Sequence, residues 1–298
     1  MVADLPLNFN PMAVTNSLST YSQRQKYFST NIALALRNAL VAEKICTVDR
    51  SNQKTLQNPY ITNVAAAIQA VAGTYTPALR ATTDDAVTVA DEVIVSAHVY
   101  DFEMKTMAFD LMANFLDDLM YQVAFKVDQF TLNKILDVGT GVYTTAAGGF
   151  TTAANIPKIM GDLMGKVAGY ASGVANSAFL VVESTDVTGF FQTAVGSGFN
   201  YADAALRNGF AGNYGGVDVY VVRTGTFVTA TLGTLSAVNS GHRLFGITNK
   251  AVMATPGGIN YKEKEIGSET GVEIVAYGYV GANVWHYDLP NFVDITLA

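Results

Sequence analysis

The chain has 298 residues, 50% of them hydrophobic and 14% charged, with a net charge of −7; a typical globular protein is about a quarter charged. It can hold one large or two modest domains with a real core, but so few charges cannot coat a monomer, so neighbouring subunits or a membrane must cover the surface. No uncharged apolar run reaches the ~18 residues a membrane helix needs: the most apolar stretch, 32–42, is short and contains Arg37. Subunit–subunit contact is the remaining explanation.

Residues 1–30 are polar and aperiodic (Asn8, Asn10, Pro11, Asn16, Ser17), as expected of an extended arm. No apolar segment leads to a cleavage-like site, so no secretory signal is expected. Ser29 and Thr30 suit the start of a short helix with Ile32, Leu36, Leu40 and Ile45 on one face. The stretch 49–60 reads as loop, with a turn at Asn58-Pro59. Residues 61–98 read as extended, with Val87, Val89, Val93 and Val95 at period two and a turn at Asp84-Asp85. A long two-stranded excursion fits, and an isolated one is not stable without something to lie on.

The run 106–137 contains no Gly or Pro, and its apolar residues recur in pairs four apart: Met107/Ala108, Leu111/Met112, Phe115/Leu116, Leu119/Met120, Val123/Ala124. That spacing predicts one helix about 45 Å long, with Gly139 and Gly141 suited to its C-terminal cap. Residues 143–155 read as a loop or short hairpin, and 156–170 as a helix with Ile159, Leu163, Met164 and Val167 on one face. Residues 179–183 form a buried strand by composition. A helix is expected over 186–195, a turn at Asn213-Tyr-Gly-Gly, and strands at 217–223, 244–247 and 250–253. After Pro256-Gly257-Gly258, the segment 271–285 is strand-rich with bends at Gly278 and Gly281, and 292–297 alternates as a last strand.

No constellation carries chemistry. His98, His242 and His286 are isolated, none at metal-ligand spacing, and no Gly-x-Ser-x-Gly elbow supplies a nucleophile. Ser51-x-x-Lys54 lacks its companion motifs. Gly139-Thr-Gly141 and the glycines at 212, 215 and 216 match no phosphate-binding fingerprint. Asp117 and Asp118 point about 100° apart on a helix and read as a solvated face. A single cysteine, Cys46, excludes an intramolecular disulfide. The reading is no enzyme, no cofactor and no metal. Scattered Lys and Arg and a negative balance leave no footprint for tight nucleic-acid binding.

The order of parts resembles the HK97-fold major capsid proteins of tailed bacteriophages. It rests on the arm (1–30), the excursion (49–98), the long helix (106–137), the Gly-rich turn before the strand at 205–223, and the closing strands after 246. The resemblance implies an α+β fold with an arm and short helix at 1–48 and an E-loop hairpin with its return strand at 49–98. A P domain with its spine helix follows at 99–155, then an A domain at 156–254 and a return to the P domain at 255–298. It implies hexamers and pentamers of the chain itself in an icosahedral shell around double-stranded DNA, held only by weak non-specific contact. Portal, decoration and scaffold proteins are the implied partners; nothing in the arm resembles a long charged coiled coil, so any scaffold is expected to be separate. Assembly would take place in the host cytoplasm, and the finished location would be the virion. Contacts are expected at Arg24, Lys26, Tyr27 and Phe28 of the arm, at Tyr75, Leu79 and Arg80 of the hairpin, and in a glycine-rich loop around Phe199, Asn200 and Tyr201. Some relatives weld subunits through a Lys–Asn isopeptide; no lysine lies between Lys54 and Lys105, so no covalent chainmail is expected. The alternatives are an encapsulin-like shell, which shares the fold, and a tail-tube protein, which would not need so long a helix.

Overall fold

A computed structural model describes residues 40–61, 82–100, 111–138, 141–168, 178–193, 199–201, 210–265 and 271–298. The arm and the tip of the expected excursion, 62–81, lie outside them.

The described chain enters through a one-turn helix α1 (Ala42–Ile45), which runs into strand β1 (Cys46–Asp49). Strands β2 (Thr55–Ile61) and β3 (Thr82–Thr88) form a two-stranded antiparallel ribbon, and β4 (Asp91–Tyr100) follows. The ribbon corrects three expectations, one of them the turn at Asn58-Pro59, which lies inside β2. The stretch read as loop becomes strand from Thr55, and Asp84 and Asp85, read as a turn, sit inside β3 opposite Pro59 and Asn58. A ribbon with water on its faces accepts carboxylates there, and its edge tolerates a proline that donates no hydrogen bond.

Helix α2 (Leu111–Val138) runs unbroken for 28 residues, about 42 Å; residues 106–110 of the expected helix lie outside the described set. It lies on a sheet completed by β13 (Ala251–Ala254), β14 (Ile259–Glu265) and β15 (Gly271–Val284), in the order β1-β13-β15-β14, with β4 also paired to β15. Leu119, Val123, Val127 and Phe130 of the helix share one core with Val99, Ile274, Ala276 and Val280 of the sheet. Close approach is possible because Gly278 stands beneath Val123, 3.3 Å from where a Cβ would sit.

The second body is a seven-stranded sheet. Its members are β5 (Gly141–Thr144), β6 (Ala178–Glu183), β7 (Phe199–Tyr201), β8 (Phe210–Tyr214), β9 (Val217–Val222), β12 (His242–Ile247) and β16 (Phe292–Thr296). They run in the order β5-β16-β12-β6-β9-β8-β7. Helices α3 (Ile156–Ala168) and α4 (Val187–Thr193) accompany this sheet, and its core holds Phe150, Ile159, Leu163, Leu180, Phe190 and Phe245. Between β8 and β9, Gly215 (φ 58°) and Gly216 (φ 92°) make the primed turn that strand twist favours; Asn213 Oδ1 accepts from Gly216 N at 2.8 Å. The closing segment divides: β14 and β15 return to the helix, while β16 joins β12 and β5 in the other sheet.

A hairpin that the sequence did not reveal, β10 (Thr229–Leu232) and β11 (Leu235–Val238), links the two bodies. The loop before it is held against α2 by side-chain amides. Asn133 Nδ2 donates to Thr226 O at 2.8 Å, Gln129 Nε2 donates to Gly225 O at 3.1 Å, and Asn239 Nδ2 donates to Asn133 O at 3.1 Å. These contacts explain why residues 127–133 of α2 are buried all round. Beside them Arg243 is buried between Glu183 (3.0 Å) and Asp186, and Glu183 Oε1 accepts from Gly225 N at 2.9 Å.

Candidate assembly surfaces

His242, His98, Ser51 and Cys46 sit in structural contacts. His242 Nδ1 lies 2.8 Å from Asp294 in a structural pair, and His98 stacks on Tyr100. Ser51 Oγ donates to Asp49, and burial pushes the Cys46 thiol far up. Among the described residues, no three His, Cys, Asp or Glu side chains cluster to hold a metal.

Outward-facing surfaces are better developed. Among the described residues, the ribbon β2–β3 is anchored at its base, where Val87 packs with Val252 and Ala254 against Leu56, Val89 and Trp285. Asn283 Nδ2 donates to Ala86 O at 3.1 Å. At Gly281, a Cβ would meet Thr88 O at 2.7 Å, so glycine lets the ribbon cross β15 at close quarters. Farther out, Gln57, Pro59, Asp84 and Ala86 are exposed. Two strands with water on both faces cannot hold themselves together.

The face of β4–β15–β14 turned away from α2 is the second surface. Period-two alternation sends Val93, Val95, Ala97 and Val99 to the core and Glu92, Ile94, Ser96 and His98 outward. Register brings Ile94 beside Tyr277 and Glu92 beside Tyr279. Tyr277 and Tyr279 meet edge to face at 6.1 Å, and Lys262 Nζ stands 4.7 Å over the Tyr277 ring. Ile94 is 61% exposed and Tyr279 40%. The result is an apolar stripe with a polar margin, the anatomy of a contact surface. The signal for it was in the sequence: once Val93 and Val95 face inward, Ile94 must face out.

The edges of the seven-stranded sheet behave differently. At β5, Lys166 Nζ donates to Val142 O at 3.0 Å, occupying an acceptor a foreign strand would need. At the other edge, Phe199, Asn200 and Tyr201 form β7, paired with Tyr214, Asn213 and Gly212, where a loop was expected. Pairing with β8 converts the segment to strand. Arg24, Lys26, Tyr27, Phe28, Tyr75, Leu79 and Arg80 lie outside the described residues.

No known family profile matches the chain, and no curated protein does. Solved structures do. The capsid structure of cyanophage P-SCSP1u superposes with a TM-score of 0.70 at 13% identity, over 92% of each chain. The fold is that of phage capsid proteins. A structure of Mycobacterium phage Che8 matches at 0.67 and 14% identity, over 90% of this chain and 95% of that one. The mature capsid of bacteriophage PhiM1 matches at 0.66 and 12%, over 91% and 90%. The resemblance to HK97-type capsid proteins thus holds at the level of fold, and the phage capsid fold spans nearly all of this chain.

Proposed function

We propose that the chain is a major capsid protein. Its copies build hexamers and pentamers, and these close into an icosahedral shell around double-stranded DNA. The observation that carries this reading is the match to a phage capsid over 92% of both chains. Two features of the chain support it. Its low charge suits surfaces that neighbours cover, and beyond its packed base the described part of the ribbon β2–β3 exposes Gln57, Pro59, Asp84 and Ala86.

In this reading residues 1–48 are the arm and 49–98 the E-loop. Residues 99–155 hold the P domain with α2 as its spine, 156–254 the A domain, and 255–298 the return to the P domain. The E-loop of one subunit lies on the outer stripe of its neighbour. The acidic balance keeps the shell from gripping its genome. Portal, scaffold and decoration proteins would meet the assembled shell, which would form in the host cytoplasm and end in the virion.

Negative-stain microscopy of the expressed chain tests this. Closed shells are the expected result. Tubes would favour a tail component, and a monomer at all concentrations would overturn the proposal. Shells that enclose protein cargo instead of DNA would favour an encapsulin.

A further inference from the structure

A groove of about 420 Å³ opens beside α2, a volume within the range of small-molecule sites. Met120, Ala124 and Asp128 line it from one face of the helix, each four residues after the last. Ile259 and Gly278 line it from the sheet, and Gly257 and Gly258 (φ 67° and 66°) bring a loop without side chains to it. Met120, Ala124 and Ile259 are half-buried, so each keeps apolar surface open. Asp128 is only 4% exposed. Its Oδ1 accepts from Val41 N at 2.8 Å and Ala42 N at 2.6 Å. Its Oδ2 accepts from no group among the described residues, yet it is not sealed from solvent. Two cations close in sequence to α1 are engaged elsewhere: Arg50 meets Glu43 at 3.0 Å, and Lys44 Nζ stands 5.8 Å over the Tyr220 ring. Burial raises the Asp128 carboxyl to about 6, so at neutral pH it is mostly charged, and a buried charge without a partner is costly.

These groups select the chemistry of a ligand. An anion or a neutral molecule leaves the Asp128 charge unpaired. A hard divalent metal takes about six or more oxygen ligands. Here Asp128 offers one free oxygen between apolar walls, and the rim carboxylate of Glu43 is taken by Arg50. A guanidinium binds best across both oxygens of a carboxylate, and Oδ1 already accepts two N–H groups. An ammonium is a compact charge that one oxygen can receive, and an alkyl stem behind it would cover the apolar surface of Met120 and Ile259. We infer that the groove is a binding site for a small aliphatic primary amine in its ammonium form, its head donating to Asp128 Oδ2 and its stem lying on Met120, Ala124 and Ile259. The bound amine sits where α1 joins α2, and the inference stands whether or not the chain assembles.

The test titrates full-length chain with n-butylamine hydrochloride at neutral pH and constant ionic strength, followed by ligand-observed NMR. Saturable binding at one site per chain is expected. Butan-1-ol, which keeps the stem and lacks the charge, and ammonium chloride, which keeps the charge and lacks the stem, should each bind more weakly. Asp128→Asn should weaken butylamine on the order of ten- to a hundredfold, the worth of one hydrogen bond to a charged group. Ala124→Leu fills the groove and leaves the carboxylate in place; it should abolish binding, and it decides the matter if Asp128→Asn does not fold. Glu43→Gln with Arg50→Gln removes the rim pair as a unit and should leave the affinity within about threefold, since exposed pairs contribute little. No saturable binding to wild type would overturn the inference. So would equal binding to wild type, Asp128→Asn and Ala124→Leu, or a loss on removing the rim pair as large as that of Asp128→Asn, which would mark attraction to surface charge only.

Discussion

Asp128 shows how one buried carboxylate organises its surroundings. The first N–H groups of any helix lack a partner within it, and Asp128 reaches from α2 to accept from Val41 N and Ala42 N at the start of α1. Burial pushes its pKa from 3.8 up to about 6, against the opposing pull of the two backbone N–H groups. The folded chain therefore binds a proton more readily than the unfolded chain in that interval. The contribution of this site to stability rises as pH falls through about 6 and levels off near 4, the reverse of a salt-bridged aspartate. Asp128→Asn keeps an acceptor and removes the charge. In unassembled chain it should raise stability at pH 7 by about 1–3 kcal/mol and flatten the pH 4–6 dependence, measured by urea unfolding. Arg243 gives the opposite case. Arg243→Met strands Glu183 and Asp186 in the core and should cost about 3–5 kcal/mol, read as a lowered unfolding midpoint.

At the scale of elements, the outer stripe separates folding from assembly. Ile94→Ser with Tyr277→Thr leaves the α2-facing side of the sheet untouched. The double variant should keep its circular dichroism and unfolding midpoint within about 0.5–1 kcal/mol of wild type while losing particle formation by light scattering. Normal shells from this variant would show that the stripe is not a contact. The long helix, the strands at 179–183 and 217–223, and the Gly215-Gly216 turn were legible because each carries a local signal: periodicity, an unbroken apolar run, paired glycines. The β10–β11 hairpin was not. Its strands, TATL and LSAV, are short and mixed, and what holds them is non-local: Asn133 and Gln129 on α2, and Asp91 Oδ1 accepting from Thr234 N at 2.7 Å. The groove beside α2, lined by Leu40, Met120, Asp128 and Met253, was illegible for the same reason, since its lining comes from residues far apart in the chain. β16 read correctly as a strand, but which sheet receives it depends on Phe292 fitting over Gly246, a contact between residues far apart in the chain.

For the whole molecule, the absence of lysine between Lys54 and Lys105 predicts shells held only by non-covalent contacts. Boiled in denaturant, they should run as a single band at the mass of one chain, 31.7 kDa; a ladder of multimers would contradict this. In the proposed shell, load between subunits would be carried by geometry alone. β15 takes part in this through its change of partner. Its last four residues pair with β13, beside the ribbon anchored at Gly281 and Asn283, while Gly271 to Val280 pair along β4 and Gly278 to Val272 along β14. Tension drawn through the ribbon from a neighbouring subunit would enter one end of this strand and run along its axis. The ladder bonds to β4 and β14 would then be loaded together in shear, where many must fail at once, and would not be peeled apart one after another. In the proposed assembly, a single continuous strand would make the point where a neighbour pulls also the point from which load spreads through the sheet beneath α2.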